Sequence, residues 1–335
     1  MMFGGRALSL PPLSETCMLN LHRALGFHPA LRDKLARGDK SKLLIGYDAR
    51  NRDIALRAFS APPASFDTVL VCLENTPPGD IIEALGHTDL FVLLYDSSCL
   101  PTPSPNGPPF LAAIRPAIVE HWSKSVLFKD YGPHLDEAFS ESLDDIAMRN
   151  NRLIDLASHA SGIRFVDESG NKLSGSLTHD QKWTSVNGMG NLDVVPGEIA
   201  THITNLHGSI VFSGTFLSTI PFAVKYKVVE RFATLHIENS TIVDFDSDHA
   251  GFQQDFASYL NRHANHRKIE EFGIGTNLGI KGLYGRNAGF EERHPGMHLG
   301  LGGGEHGSHH LDLIFAKGTL MLDDRTVFDN GTFTI

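Results

Sequence analysis

From residue 42 onward, short apolar runs alternate with helix-spaced segments: KLLIGYD, ARNRDIALRAFS, DTVLVCLE, PGDIIEALGH and DLFVLLYD follow one another closely. Strand and helix in strict alternation predict a parallel sheet whose crossovers are helical. The unbroken apolar run LFVLLYD suits a strand buried on both faces. Asp48 and Asp96 end two of these strands, where crevices open in such sheets, although aspartate is equally at home there as a cap or turn former. The Pro-rich stretch SSCLPTPSPNGPP over 97–109 breaks the alternation, because proline removes amide donors and fixes φ. After it, FLAAIRPAIVEHW predicts a helix kinked or restarted at Pro116. Apolar residues at helical spacing (Leu135, Phe139, Leu143, Ile146, Leu153, Leu156) predict one long helix or two abutting ones over 134–159.

Past residue 160 the period changes from helical to alternating. IRFVDESGNKLSGSL reads as two strands joined by a turn, and GSIVFSGTF, ATLHIEN, STIVDFD and GTLMLDD carry the same two-residue alternation. One helix interrupts them, FQQDFASYLNRHANH, with a cap expected near Asp248. A chain of 335 residues exceeds what one core usually serves. The expected fold class is therefore α/β plus α+β: a parallel-sheet α/β domain over 1–160 and a strand-rich domain over 161–335 that carries the chemistry.

Charge and composition narrow the partners. A formal charge of -10, with no basic run, argues against nucleic acid, whose binding draws on clustered Lys and Arg. Neither the opening MMFGGRALSLPPLSET nor any later stretch is apolar for long enough to be a signal peptide or a membrane span. The three cysteines, Cys17, Cys72 and Cys99, are far apart and odd in number, which suits a reducing, cytoplasmic setting without disulfides. A peptide or small-molecule substrate is the expected partner, and a homodimer stays open.

Histidine is the outlier, 18 in all, with His294, His298, His306, His309 and His310 crowded into one Gly-rich segment. In HHLDL, His310 and Asp312 are two apart, so on a strand both project from one face and can chelate one divalent ion. In GMHLGLGGG, the His298 imidazole would be exposed on a face otherwise lined by glycine. Imidazole and carboxylate suit zinc, manganese, cobalt or ferrous iron, and two His with one carboxylate leave positions open for water or substrate. Glu198 of VPGEIATH and Glu271 of EEFGIGTN would add the charge that a two-metal site requires. Glu270 competes with Glu271, since a slip of one residue exchanges the strand faces. His309 would point to the opposite face from His310. His306, among glycines, could swing over the site as an acid or base.

PGEIA, EEFGIGTN, GMHLGLG and SHHLD, followed by a TLMLDD strand, resemble in order and spacing the metal-binding segments of the leucyl aminopeptidase T family. The resemblance covers roughly residues 160–335. It implies two divalent ions (Zn, Co or Mn), one held by Glu198, Glu271 and His298 and the other by Glu271, His310 and Asp312, with Glu271 bridging. Hydrolysis at the amino end of a peptide or related amide follows as the implied activity. The chain departs from the family where a tyrosine is expected a few residues past His298, since Gly302, Gly303, Gly304 and Glu305 stand there. Tyr284 is a candidate substitute, beside Glu198 and His306, for a catalytic role.

The 2,5-dihydroxypyridine 5,6-dioxygenases look like members of the same fold family, and that resemblance implies an alternative: one Fe(II) held by His298, His310 and Asp312, with Glu198 and Glu271 only supporting them. A third expectation is a family member without turnover that binds or helps to tailor a peptide.

Overall fold

A computed structural model describes residues 13–100, 107–218 and 222–335. Residues 1–12 of the opening segment and 101–106 of the Pro-rich loop, both read above from sequence, lie outside the described residues. The first sheet contains β1 (Ser41–Tyr47), β2 (Phe66–Cys72), β3 (Leu90–Tyr95) and β4 (Ser125–Lys129), all parallel in the order β2-β1-β3-β4. The central β3 is buried along its whole length, which is why its sequence is apolar without alternation.

Before and between these strands lie α1 (Glu15–Phe27), α2 (Pro29–Ala36), α3 (Arg52–Phe59), α4 (Pro78–Gly86) and α5 (Pro109–Glu120). The last of these runs through Pro116 without a restart. Asp48 and Asp96 do sit at strand ends. Asp48 accepts from the Asn51 amide at 2.9 Å and from the Asp96 amide at 2.8 Å, so it shapes both strand-to-helix turns. The helical region after β4 is two helices, α6 (Leu135–Phe139) and α7 (Leu143–His159).

The second sheet is antiparallel throughout. It contains β5 (Gly162–Val166), β6 (Lys172–Ser176), β7 (Thr184–Val186), β8 (Glu198–Thr201), β9 (His207–Ser218), β10 (Val229–Glu238), β11 (Thr241–Asp246), β12 (Ile269–Gly275), β13 (Gly296–Leu301), β14 (Leu311–Phe315), β15 (Thr319–Leu322), β16 (Arg325–Asp329) and β17 (Thr332–Phe333). The path is β17-β16-β15-β5-β6-β9-β14-β13-β12-β8-β7, with β10 and β11 branching from β9. The expected hairpin is β5–β6, and β10 and β11 pair antiparallel as a second one. Between β9 and β10 lies the short α8 (Phe222–Tyr226), and α9 (Ala250–Arg262) packs Phe252, Phe256 and Tyr259 onto the sheet's apolar face. The cap of α9 is His249, whose Nδ1 accepts from the Phe252 amide at 3.2 Å, rather than Asp248.

Each sheet packs an apolar cluster of its own, and a further cluster is shared between the two halves. Val194, Val195, Ile280, Ala288 and Phe290, all from the strand-rich half, pack with Leu94, Phe128, Tyr131 and Phe139 of the first half. Burying these side chains together removes them from water at about 1.5–3 kcal/mol each, so the seam is held by apolar contact as well as by hydrogen bonds. Along that seam the carboxyl end of β4 meets the middle of the antiparallel sheet. No helix among the described residues is long and apolar enough to cross a membrane.

Candidate metal centre

Adjacent strands β8, β12, β13 and β14 carry all five expected ligands. Glu198 opens β8, Glu271 lies on β12, His298 on β13 and Asp312 on β14, while His310 immediately precedes β14. Pairing β12 with β8 sets Gly275 opposite Glu198, and pairing β12 with β13 sets Glu271 opposite Gly300. The ladder breaks between Ile269 and Glu271, so Glu270 is the extra residue of a bulge. Its backbone oxygen lies 2.8 Å from His202 Nδ1, and Glu271 is the residue turned to the centre.

His298 is fully buried, and its Nε2 lies 2.9 Å from Glu198 Oε1 and 3.2 Å from Glu271 Oε1. One donor atom from each of these three residues falls within 4.8 Å of the others. Beside this trio, His310 Nε2 lies 2.7 Å from Asp312 Oδ1. Gly300 is the hinge between the two groups: a Cβ there would stand 2.7 Å from His310 Cε1, 2.9 Å from Glu271 Cβ and 3.1 Å from Asp312 Oδ1. Glu198, Glu271, His310 and Asp312 line one cavity of about 500 Å³ together with Lys129, Leu217, Ser218, Glu292 and Arg293.

The glycine at 273 has a steric reason. It faces His298 across the β12–β13 ladder, and a Cβ there would overlap the imidazole Nε2. Gly273→Ala is expected to cost about 1–3 kcal/mol through overpacking and to turn His298 away from the two glutamates. Denaturant unfolding and elemental analysis read both effects. Gly79→Ala, in open space on α4, is the control and should leave both unchanged or raise stability slightly. Normal metal content in Gly273→Ala would show that the close approach is not required.

Backbone contacts from outside the site place the ligands. Asn150, buried in α7, donates to the Glu198 carbonyl at 2.9 Å and accepts from Thr276 Oγ1 at 2.6 Å, which ties the start of β8 to the helix. The Gly-rich loop is clamped where it returns to the sheet. The Tyr259 hydroxyl donates to the carbonyls of Leu301 (3.1 Å) and His309 (2.8 Å), and His266 Nε2 accepts from the His309 amide at 2.8 Å. Ser218 Oγ donates to the His310 carbonyl at 2.7 Å. None of these four residues is marked by a motif, because each acts through another residue's main chain.

Arg293 also escapes sequence reading. Its guanidinium, 3 % exposed, pairs with Glu198 Oε2, with Asp193 at 2.6 Å and with Glu292 at 3.0 Å. The available signal was the charged run FEERHPG directly before GMHLG. Arg293 leaves Glu198 one oxygen, Oε1, toward His298. Burial pushes the neighbouring Glu292 carboxyl up to about 8 even though Arg293 opposes it.

Two expected residues are not brought to the centre. The Tyr284 hydroxyl donates to Glu137 at 2.7 Å and the ring stacks on His134 at a centroid distance of 3.8 Å. His306 lies exposed in the Gly-rich loop. Neither is among the described residues that line the cavity. His309 is also exposed and, as expected, does not join His310 there.

The electrostatics call for positive charge. Burial alone would lower the pKa of His298, but hydrogen bonds to Glu198 and Glu271 and their charges hold it well above its ordinary value. For His310, too, burial lowers the pKa, yet Asp312 and Glu271 raise it to about 9. Burial would lift Glu271, but His298 and His310 pull it down to about 2. Carboxylates that hold protons on the buried His298 and the half-exposed His310 bind a divalent cation in the protons' place, given nitrogen and oxygen donors of this kind. His298 Nδ1, buried with no hydrogen-bond partner among the described residues, leaves Nε2 as the ring's only engaged atom. The residues fit a metal.

Fold and site together define a protein of two joined sheets, one parallel and one antiparallel, with a His/carboxylate centre on the second. No protein-family model and no curated protein matches the chain. Among solved structures, 2,5-dihydroxypyridine dioxygenase from Pseudomonas putida is similar, with a TM-score of 0.57 and 17% identity over 96% of this chain and 98% of that one. Wild-type AmpT from Thermus thermophilus is similar with a TM-score of 0.57 and 13% identity, over 95% of this chain and 99% of that one. Both likenesses span the α/β half as well as the strand-rich half, and the relation read from the motifs holds at the level of the fold.

Proposed function

We propose that this chain is a metal-dependent hydrolase that acts on the amino end of a short peptide or related amide. The observation that carries this reading is the convergence of Glu198 and Glu271 on His298 beside the His310–Asp312 pair. A single ion needs only three such ligands, and the carboxylates in excess of that suit two. Glu198, Glu271 and His298 would hold one ion, and Glu271, His310 and Asp312 the other. Divalent ions there would polarise a scissile carbonyl, help ionise the attacking water and accept the substrate's free amine.

The chain's own groups supply the rest. Arg293 holds Glu198 in one orientation, so that only Oε1 faces the centre. With Tyr284 turned to Glu137, proton transfer falls to Glu292, the carboxyl side chain of the cavity outside the five ligands. The second reading is the single-iron dioxygenase, favoured by the equal fold similarity to such an enzyme and by the position of Tyr284.

Elemental analysis of purified protein, with assays on dipeptides and on 2,5-dihydroxypyridine, separates them. Two Zn, Co or Mn ions per chain with amino-acid release are expected. One iron with oxygen-dependent ring opening would replace the hydrolase reading by the second.

A further inference from the structure

One cation in the cavity is not spent on a carboxylate ligand. Lys129 is the last residue of β4, in the parallel sheet, and it lines the cavity from that sheet, whereas the five ligands come from the antiparallel one. Its ammonium makes no hydrogen bond among the described residues, and its recorded ion-pair partner, Asp130, is 4.0 Å away. Asp130 is itself fully occupied: its two oxygens accept the amides of Ser97 at 2.7 Å, Ser98 at 3.0 Å and Cys99 at 3.1 Å. Arg293, the other cation of the cavity, is divided among Glu198, Glu292 and Asp193. Lys129 thus keeps its three N–H donors free of hydrogen bonds among the described residues, on a side chain only 31 % exposed, inside a cavity otherwise lined by acids, Arg293, a histidine, a serine and a leucine.

An ammonium largely withdrawn from water, whose nearest carboxylate stands 4.0 Å away and already accepts three amides, is stabilised when a ligand brings an anion closer. The cavity, at about 500 Å³, is of the size that encloses one small molecule. Resting on the hydrolase reading above, we infer that Lys129 anchors a substrate carboxylate. The site then takes small zwitterionic peptides, with the amine at the metal centre and the free C-terminal carboxylate at Lys129, in preference to the end of a long chain. Lys129 would be a specificity residue: it contacts the substrate away from the bond that breaks.

The test uses the metal-loaded full chain with Leu-Gly and Leu-Gly-amide, which differ only in that carboxylate. Turnover of both is measured, together with calorimetric binding of both, so that the result does not depend on hydrolysis. Wild type is expected to favour the free acid by roughly 10- to 100-fold, the worth of one charge-assisted hydrogen bond, with the difference mainly in KM. In Lys129→Met the ratio should collapse toward one, and in Lys129→Arg it should be largely kept. Metal content and melting temperature of each variant verify folding.

Equal binding of acid and amide by wild type, or an unchanged ratio in Lys129→Met, would overturn the anchor. Preferential binding of the acid without any hydrolysis would keep the anchor and overturn the hydrolase.

Discussion

On the two-ion hydrolase reading proposed above, Glu271→Ala is expected to lower the metal content from two ions to fewer than one and to reduce peptide hydrolysis by about 10³-fold, on the order of 4 kcal/mol of transition-state stabilisation. Glu271 touches both halves of the centre. Its Oε1 lies 3.2 Å from His298 Nε2, and its Cβ lies beside the Gly300 hinge where His310 and Asp312 converge. Removing it deletes a ligand from each proposed ion, whereas Glu198→Ala should delete a ligand from one and leave the other ion in place. Glu270→Ala is the internal control. As the extra residue of the β12 bulge, with its carboxylate 3.8 Å from His202, it should change neither metal content nor rate. Metal analysis of the three variants in parallel decides the matter. If Glu270→Ala lost metal and Glu271→Ala kept both ions, the assignment of strand faces would be wrong.

Metal affinity should climb steeply with pH, by roughly 10³-fold between pH 6 and pH 9 from His310 alone. His310 is held at about 9 by Asp312 and Glu271 against the effect of burial, and it must give up its proton to bind an ion. Each pH unit below 9 therefore weakens binding about tenfold for that one proton, and His298, also raised, steepens the slope. Titration against a competing chelator at several pH values measures this. A flat profile would mean that neither imidazole is a ligand.

The same group carries the opposite sign for the stability of metal-free protein. Its folded pKa is raised above the ordinary value of 6.5, so its contribution to stability is complete below pH 6.5 and is lost as the pH rises through about 9. Metal-loaded and metal-free melting temperatures should accordingly diverge as the solution becomes alkaline.

Several features of the site were legible in the sequence because they are local. Alternation along a strand is a property of two or three residues, so HHLDL was enough to place His310 and Asp312 on one side, where their atoms meet at 2.7 Å. The glycines around His298 predicted an exposed imidazole, whereas the packed strands bury it completely against Gly273 of β12. The alternating helices and strands of the first half and the β5–β6 hairpin follow from the same short-range periods. The helix at α5 shows the limit of local rules, since Pro116 sits inside it without ending it.

Tertiary structure decided what depended on register and on distant chain. The choice between Glu270 and Glu271 required the β12 bulge, which no local pattern signals. Glu198 meets Arg293 across 95 positions, and Lys129 reaches the cavity from the other sheet altogether. Tyr284, a stand-in suggested by its place in the preceding loop, is turned away because Glu137, 147 residues earlier, offers its hydroxyl a half-buried carboxylate. The sequence by itself determined which residues have metal-binding chemistry and which neighbours share a strand face. Only the packed sheets decided which carboxylates converge, which cations are spent and which one is left, because those outcomes are set by hydrogen-bond register between strands far apart in the chain.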